Sequence, residues 1–204
     1  MRSRTLRILR AAERPPTPWK NGGGLTREVI VHPPGSDLTR FDWRVSLAEI
    51  RAPGPFSSFP GIDRRMAVLE GRLSLSIGEG AGMIATPETP PLTFPGEAAV
   101  FAEPCGGPVT DLNVMTRRGR FDSRLTLSTA REPRELNAHA GATLILALSD
   151  LVVGCPTGPL SLSSLDAVLI EGESHCAIAP RSGAATFWLV EIHASSSLAS
   201  ARGC

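Results

Sequence analysis

The sequence predicts an all-β protein of two barrel-like lobes with few short helices. Short runs of alternating character are separated by turn residues throughout, which is the signature of strands half-buried on one face. The 20 glycines and 18 prolines in 204 residues leave no room for long helices. Each half also holds a cluster of strands, a Glu-Gly turn (Glu70-Gly71, then Glu171-Gly172) and a last, strongly apolar strand. Strands at this spacing describe a sandwich or barrel rather than βαβ units.

Taken in order, Leu25 to Val31 reads as a strand. In Phe41 to Ile50 the apolar residues Phe41, Trp43, Val45 and Leu47 alternate with Asp42, Arg44, Ser46 and Ala48. Met66–Leu69 and Leu73–Ile77 flank Glu70-Gly71-Arg72 and read as a hairpin. Gly78 to Pro91 reads as a partly mobile loop. Glu97–Glu103 and Val109–Thr116 read as a second strand pair, around Pro104-Cys105-Gly106-Gly107-Pro108. Arg124–Ser128, Thr143–Leu148, Ala167–Glu171 and Ala185–His193 complete the strands, and Thr129–Asn137 is the one expected short helix. Residues 1–120 are expected to form the first lobe and 121–193 the second. Residues 194–204 have the composition of a flexible tail.

Twenty-one basic and 20 acidic residues give a net charge of +1, which argues against nucleic acid or a polybasic membrane anchor as partner. No run approaches the roughly 18 apolar residues of a spanning helix. The basic N-terminus leads into no secretory apolar core. Cys105, Cys155, Cys176 and Cys204 contain no CxxC pair, so neither a zinc site nor a disulfide framework is indicated. A cytoplasmic location follows. His32, His139, His175 and His193 never occur as HxH or HxxxH, and no metal or other cofactor is expected.

Lys20 is the sole lysine, and it sits in Pro18-Trp19-Lys20-Asn21-Gly22-Gly23-Gly24. A flexible surface turn is one reading. The other is an anion loop, in which a cation, an amide and bare glycine backbone meet a carboxylate. Phe56-Ser57-Ser58-Phe59-Pro60-Gly61-Ile62-Asp63-Arg64-Arg65 reads either as a turn stapled by two phenylalanines or as part of a site. Asp111 and Asn113 share one strand face, as do Arg44 and Ser46, and each pair could face solvent or a pocket. A barrel that holds a ligand turns some polar side chains inward. Several cations and few carboxylates then imply a small anionic ligand.

Four stretches, Pro18-Trp19-Lys20-Asn21-Gly22-Gly23-Gly24-Leu25-Thr26-Arg27-Glu28, Phe41-Asp42-Trp43-Arg44-Val45-Ser46, Gly54-Pro55-Phe56-Ser57 through Arg64, and Gly107 through Arg117, resemble the HutD/Ves family densely over about residues 8–128. The resemblance implies a bacterial, cytoplasmic bicupin: two cupin-like lobes without the metal-binding histidines of the wider superfamily. Ser57, Phe59 and Asp63 stand where metal ligands would be expected. It also implies a place in the control of histidine utilisation and a ligand such as N-formimino-glutamate. Carried over by motif, Lys20, Asn21, Gly22, Arg44, Ser46, Phe59, Asp63, Arg64, Asp111 and Asn113 would line the pocket; no catalytic residue transfers. A metal-independent isomerase or imine hydrolase is the alternative, with Lys20 or Asp111 moving protons. Exposed barrel edges of the cupin kind allow a homodimer.

Overall fold

Period-two alternation broken by glycine and proline resolves into nineteen β-strands and one 3-10 turn, Ala11–Glu13, among the described residues. The computed structural model describes residues 5–138, 141–155 and 158–195. They divide into two compact units. One is Arg14–Phe121; the other joins the described residues up to Glu13 with those from Asp122 on.

In the Arg14–Phe121 unit, a six-stranded antiparallel sheet runs in the spatial order Thr17–Pro18, Gly24–His32, Trp43–Ile50, Val109–Arg117, Ile62–Glu70, Leu92–Pro95. A four-stranded sheet runs Gly54–Pro55, Val100–Pro104, Leu73–Ile77, Met83–Ala85. One apolar cluster joins them: Ile50, Met66, Val68, Phe94 and Val109 from the larger sheet meet Leu73, Leu75, Ala85, Val100 and Ala102 from the smaller. Each large side chain so buried contributes about 1.5–3 kcal/mol of transfer free energy. This cluster is what fixes the two sheets against each other.

The second unit repeats the plan. Its five-stranded sheet runs Thr5–Leu9, Ala167–Glu171, Ala142–Ala147, Ala185–Ala194, Phe121–Ala130. Its four-stranded sheet runs Arg134–Ala138, Ser174–Pro180, Leu151–Cys155, Gly158–Leu162. Ile145, Leu151, Val153, Leu162, Val168, Ile178 and Phe187 lie in a shared core.

Several expectations need correction. Thr129–Asn137 is no helix: Phe121–Ala130 and Arg134–Ala138 are strands, and the Pro133 region turns between them. Neither expected strand pair is a hairpin. Ile62–Glu70 pairs with Val109–Arg117 and Leu92–Pro95, whereas Leu73–Ile77 pairs with Val100–Pro104 and Met83–Ala85. The turn at Gly71, with φ +87°, therefore carries the chain from one sheet to the other. Val100–Pro104 and Val109–Arg117 likewise belong to different sheets. Close-packed sheets reward such crossings because each strand's apolar face then meets the opposite sheet. The Gly78–Pro91 segment contains a strand, Met83–Ala85. The expected first lobe of residues 1–120 loses its leading strand, because Thr5–Leu9 pairs with Ala167–Glu171 of the other unit. Of the tail, Ala194 ends a strand and residues 196–204 lie outside the described residues.

Local backbone chemistry sets the entry to the larger sheet. Trp19 N–H donates to the Gly24 carbonyl at 2.9 Å, and Gly22 N–H to the Trp19 carbonyl at 3.0 Å. Gly22 has φ +70°, open to glycine at little cost. A Cβ on Gly24 would lie 2.3 Å from the Glu49 carbonyl oxygen and 3.1 Å from the Trp19 ring. Gly24→Ala is therefore expected to destabilise the protein by about 1–3 kcal/mol through overpacking against backbone. Gly22→Ala, with open space around it, is expected to cost about 1–2 kcal/mol from its left-handed backbone alone. Denaturant midpoints of the two variants check the ranking; equal stability of wild type and Gly24→Ala would contradict it.

Candidate functional site

Antiparallel register brings the polar residues of three strands into rows. Met115 is opposite both Arg44 and Arg64, Asn113 opposite Ser46 and Met66, and Asp111 opposite Ala48 and Val68. Successive side chains alternate faces, so Arg44, Ser46, Asp111, Asn113 and Arg64 share the face on which Met66 and Val68 join the apolar cluster. Sequence alternation left that face open between solvent and pocket. The structure buries it: Ser46 is 3% exposed, Asn113 4%, Arg64 7% and Asp111 0%.

A chain of hydrogen bonds runs across the rows. Arg64 Nη2 donates to Asn113 Oδ1 at 2.7 Å, and Asn113 Nδ2 donates to Asp111 Oδ1 at 2.6 Å. The amide of Asn113 is thereby oriented, its oxygen toward the cation and its nitrogen toward the carboxyl. Beside them, Arg44 Nε donates to Glu28 Oε2 at 2.8 Å and its Nη1 to Ser46 Oγ at 3.4 Å. Aromatic rings surround the other guanidinium: Arg64 Cζ lies 5.0 Å from the Phe56 ring centre, 5.1 Å from Phe94 and 5.9 Å from Phe59. Each such cation–π contact contributes about 0.5–2 kcal/mol, more when desolvated.

On this face two buried atoms are left without a hydrogen-bond partner, Arg64 Nε and Asp111 Oδ2. Burial also strains the charges. It lowers Arg64 to about 10, with the Asp111 charge opposing that shift and the Arg44 charge adding to it. Arg64 nevertheless remains a cation at neutral pH. Burial raises Asp111 to about 7, against the attraction of Arg64 and the Asn113 hydrogen bond. At neutral pH the Asp111 carboxyl is therefore divided between its neutral and charged forms. Glu28 pairs with Arg44, so the Arg64 guanidinium is left with only a half-neutralised acid nearby, and the face is short of negative charge. A metal ion does not fit this donor set, since it would meet two guanidinium groups, and the two carboxyls present are already engaged by Arg44 and Asn113. Among the described residues no three His, Cys, Asp or Glu side chains cluster as ligands.

Of the sequence-predicted residues, Arg44, Ser46, Arg64, Asp111 and Asn113 come together, and the Phe59 ring flanks Arg64. Asp63 does not join them. Its neighbour Arg64 takes the inner face, and Asp63 instead accepts from Arg118 Nε at 2.7 Å in a partly exposed ion pair. Lys20, Asn21 and Gly22 occupy an exposed turn. Asn21 Oδ1 there accepts from Gly23 N–H at 3.0 Å, so this amide is engaged in shaping the turn. The turn is anchored by Trp19, whose Nε1 donates to Thr26 Oγ1 at 2.8 Å and whose ring, like Phe56, packs on the apolar cluster. Glu28, Phe56 and Phe94 were missed as site residues. Glu28 and Phe56 stand inside segments singled out for other residues, and Phe94 follows Leu92 at strand spacing in a proline-rich stretch.

With that geometry in place, similarity to known proteins is specific. The HutD family model matches residues 11–187. An uncharacterized 21.2 kDa protein in the hutC 3' region of Pseudomonas putida is 37% identical over 120 residues, 59% of this chain and 63% of that protein. Protein Ves of Citrobacter koseri is 38% identical over 111 residues, 54% of this chain and 57% of its own length. The matches thus span less than two thirds of these curated relatives. Among solved structures, HutD from Pseudomonas fluorescens SBW25 superposes with a TM-score of 0.80 at 26% identity, over 94% of this chain and 100% of that one. A cupin 2 conserved barrel domain protein from Leptotrichia buccalis superposes at 0.61 with 10% identity, over 91% of this chain and 100% of that one, which speaks to fold alone. The matched span contains both arginines, the Asn113–Asp111 pair and the glycine turn that opens the sheet. The chain belongs to the HutD family of cupin-like proteins.

Proposed function

We propose that the inner face of the Arg14–Phe121 unit binds a small carboxylate metabolite, N-formimino-glutamate-like, and that the protein modulates histidine catabolism in the cytoplasm through that ligand. The carrying observation is the buried Arg64 guanidinium, whose Nε has no partner while a second guanidinium, Arg44, lies close enough to oppose its charge. A carboxylate accepting from Arg64 Nε and Arg44 would offset that repulsion, with each charge-assisted bond contributing about 1.5–3 kcal/mol. Asp111 Oδ2, also unpartnered, suits an N–H group on the same ligand. Membership of the HutD family and a relative in a hutC 3' region support the link to histidine utilisation. Lys20, Asn21 and Gly22 enter the proposal as outer contacts of the ligand, supported by Trp19, which anchors their turn and packs with Phe56 on the same apolar cluster. No helix of the described residues is long and apolar enough to cross a membrane.

A second reading rests on Asp111. A carboxyl raised to about 7 is poised to give or take a proton at neutral pH, as an isomerase or imine hydrolase requires. Incubation with formimino-glutamate or urocanate separates the two readings. Saturable binding without consumption supports a binding protein; consumption that Asp111→Asn abolishes supports an enzyme.

Calorimetric titration with formimino-glutamate, urocanate, glutamate and formate is expected to give saturable binding by at least one acid. Arg64→Gln and Arg44→Gln should each weaken it tenfold or more, while Lys20→Ala should weaken it less, since Lys20 stands in solvent. Unchanged affinity in both arginine variants would refute the assignment.

The pH dependence has a defined sign. As pH rises through about 7, Asp111 ionises and its charge competes with the ligand carboxylate for Arg64. Affinity measured from pH 6 to pH 8 is therefore expected to fall, and to become nearly flat in Asp111→Asn. Stability follows the same sense: a raised carboxyl stabilises the fold below the unfolded value and loses that contribution as pH climbs through about 7.

A further inference from the structure

A pair of side chains in the other unit has no part in the carboxylate site. Cys155 ends the Leu151–Cys155 strand, and Cys176 lies in the neighbouring Ser174–Pro180 strand. The two strands run antiparallel with Gly154 opposite Ala177, and the next step of that register sets Cys155 opposite Cys176. Their sulfurs are 3.4 Å apart, and both are free thiols. Opposed residues of an antiparallel pair have Cα atoms about 4.5–5.5 Å apart, inside the roughly 4.4–6.8 Å that a disulfide spans. Small side-chain rotations would bring the sulfurs to the bonding distance of about 2.05 Å without parting the strands.

The two thiols differ in access. Cys176 is 2% exposed and belongs to the core, while Cys155 is only partly buried at its edge. An oxidant arriving from solvent therefore meets Cys155 first.

We propose that Cys155 and Cys176 form a reversible intramolecular disulfide by exchange with a low-molecular-weight disulfide of the glutathione class. The Cys155 thiolate attacks one sulfur of the small disulfide, forming a mixed disulfide and releasing one small thiol. Cys176 then loses its proton and attacks Cys155 Sγ, forming the protein disulfide and releasing the second small thiol. Two protein thiols are oxidised, one small disulfide is reduced to two thiols, and the exchange runs backward with excess small thiol. Burial, and then the contact with Cys176, push the Cys155 thiol up to about 12, so little thiolate is present at neutral pH. The reaction is accordingly slow there and faster in mild alkali. Once formed, the cross-link ties residue 155 to residue 176 and restricts the unfolded chain more than the folded one.

The experiment uses the full chain carrying Cys105→Ser and Cys204→Ser, so that only this thiol pair remains, with folding checked by circular dichroism. Oxidised glutathione is added to the native protein at pH 7 and pH 8.5. Intact mass and thiol labelling after denaturation are then followed. The expected product lacks both thiols, has lost the mass of two hydrogens, carries no glutathione, forms faster at the higher pH and melts at a higher temperature. Adding Cys176→Ser should trap one glutathionyl group on Cys155; adding Cys155→Ser should leave Cys176 unmodified while the protein is folded. Persistence of both free thiols, or a glutathionyl group that stays on Cys155 while Cys176 is present, would overturn the proposal.

Discussion

A guanidinium taken out of water must be matched by groups that replace its hydration, and Arg64 imposes that demand on the whole Arg14–Phe121 unit. Desolvating such an ion costs several kcal/mol even after relaxation. Three phenylalanine rings and one amide oxygen provide part of the match. They come from three separate places in the chain: Phe56 and Phe59 before the Ile62–Glu70 strand, Phe94 after it, and Asn113 on the central strand. Local propensity cannot assemble such a set. The sheet order, with Val109–Arg117 between Trp43–Ile50 and Ile62–Glu70, is what brings both arginines to the same central strand.

The same demand explains why Asp111 is buried. Against an apolar background alone its carboxyl would be a net cost, yet it fixes Asn113 and so fixes the oxygen that Arg64 donates to. Removing any member leaves a buried polar neighbour unsatisfied, which is more damaging than the loss of one bond. Arg44 is handled differently. Its partner Glu28 is 44% exposed in the side chain, so that pair is partly screened, and the arginine keeps freedom to turn toward another acceptor.

Much of this was legible in the residues themselves. Alternation placed strands over Phe41–Ile50 and Val109–Thr116, and a short apolar run between turn residues placed one over Ala167–Glu171; each is a strand to within two residues. It also paired Arg44 with Ser46 and Asp111 with Asn113 on shared faces. Strand pairing was not legible. The Glu70-Gly71-Arg72 turn resembles a hairpin locally, but the chain crosses there to the other sheet, where Leu73 and Leu75 are buried in the shared cluster. Asp63 misled for a related reason: adjacent residues on a strand point to opposite faces, so a motif containing both Asp63 and Arg64 can supply only one of them to a pocket. Thr129–Asn137 misled because its composition suits a helix start, whereas its neighbours needed edge strands.

The path of the chain has an implication for biosynthesis. Arg14–Phe121 is one uninterrupted stretch, complete before the residues from Asp122 on have been made. The strand Thr5–Leu9, by contrast, must wait for Ala167–Glu171 to emerge before it gains its partner. A ribosome-bound chain can thus hold its arginine-lined face assembled while the first strand is still idle. Closing the second unit then joins residues that precede the Arg14–Phe121 stretch to residues that follow it.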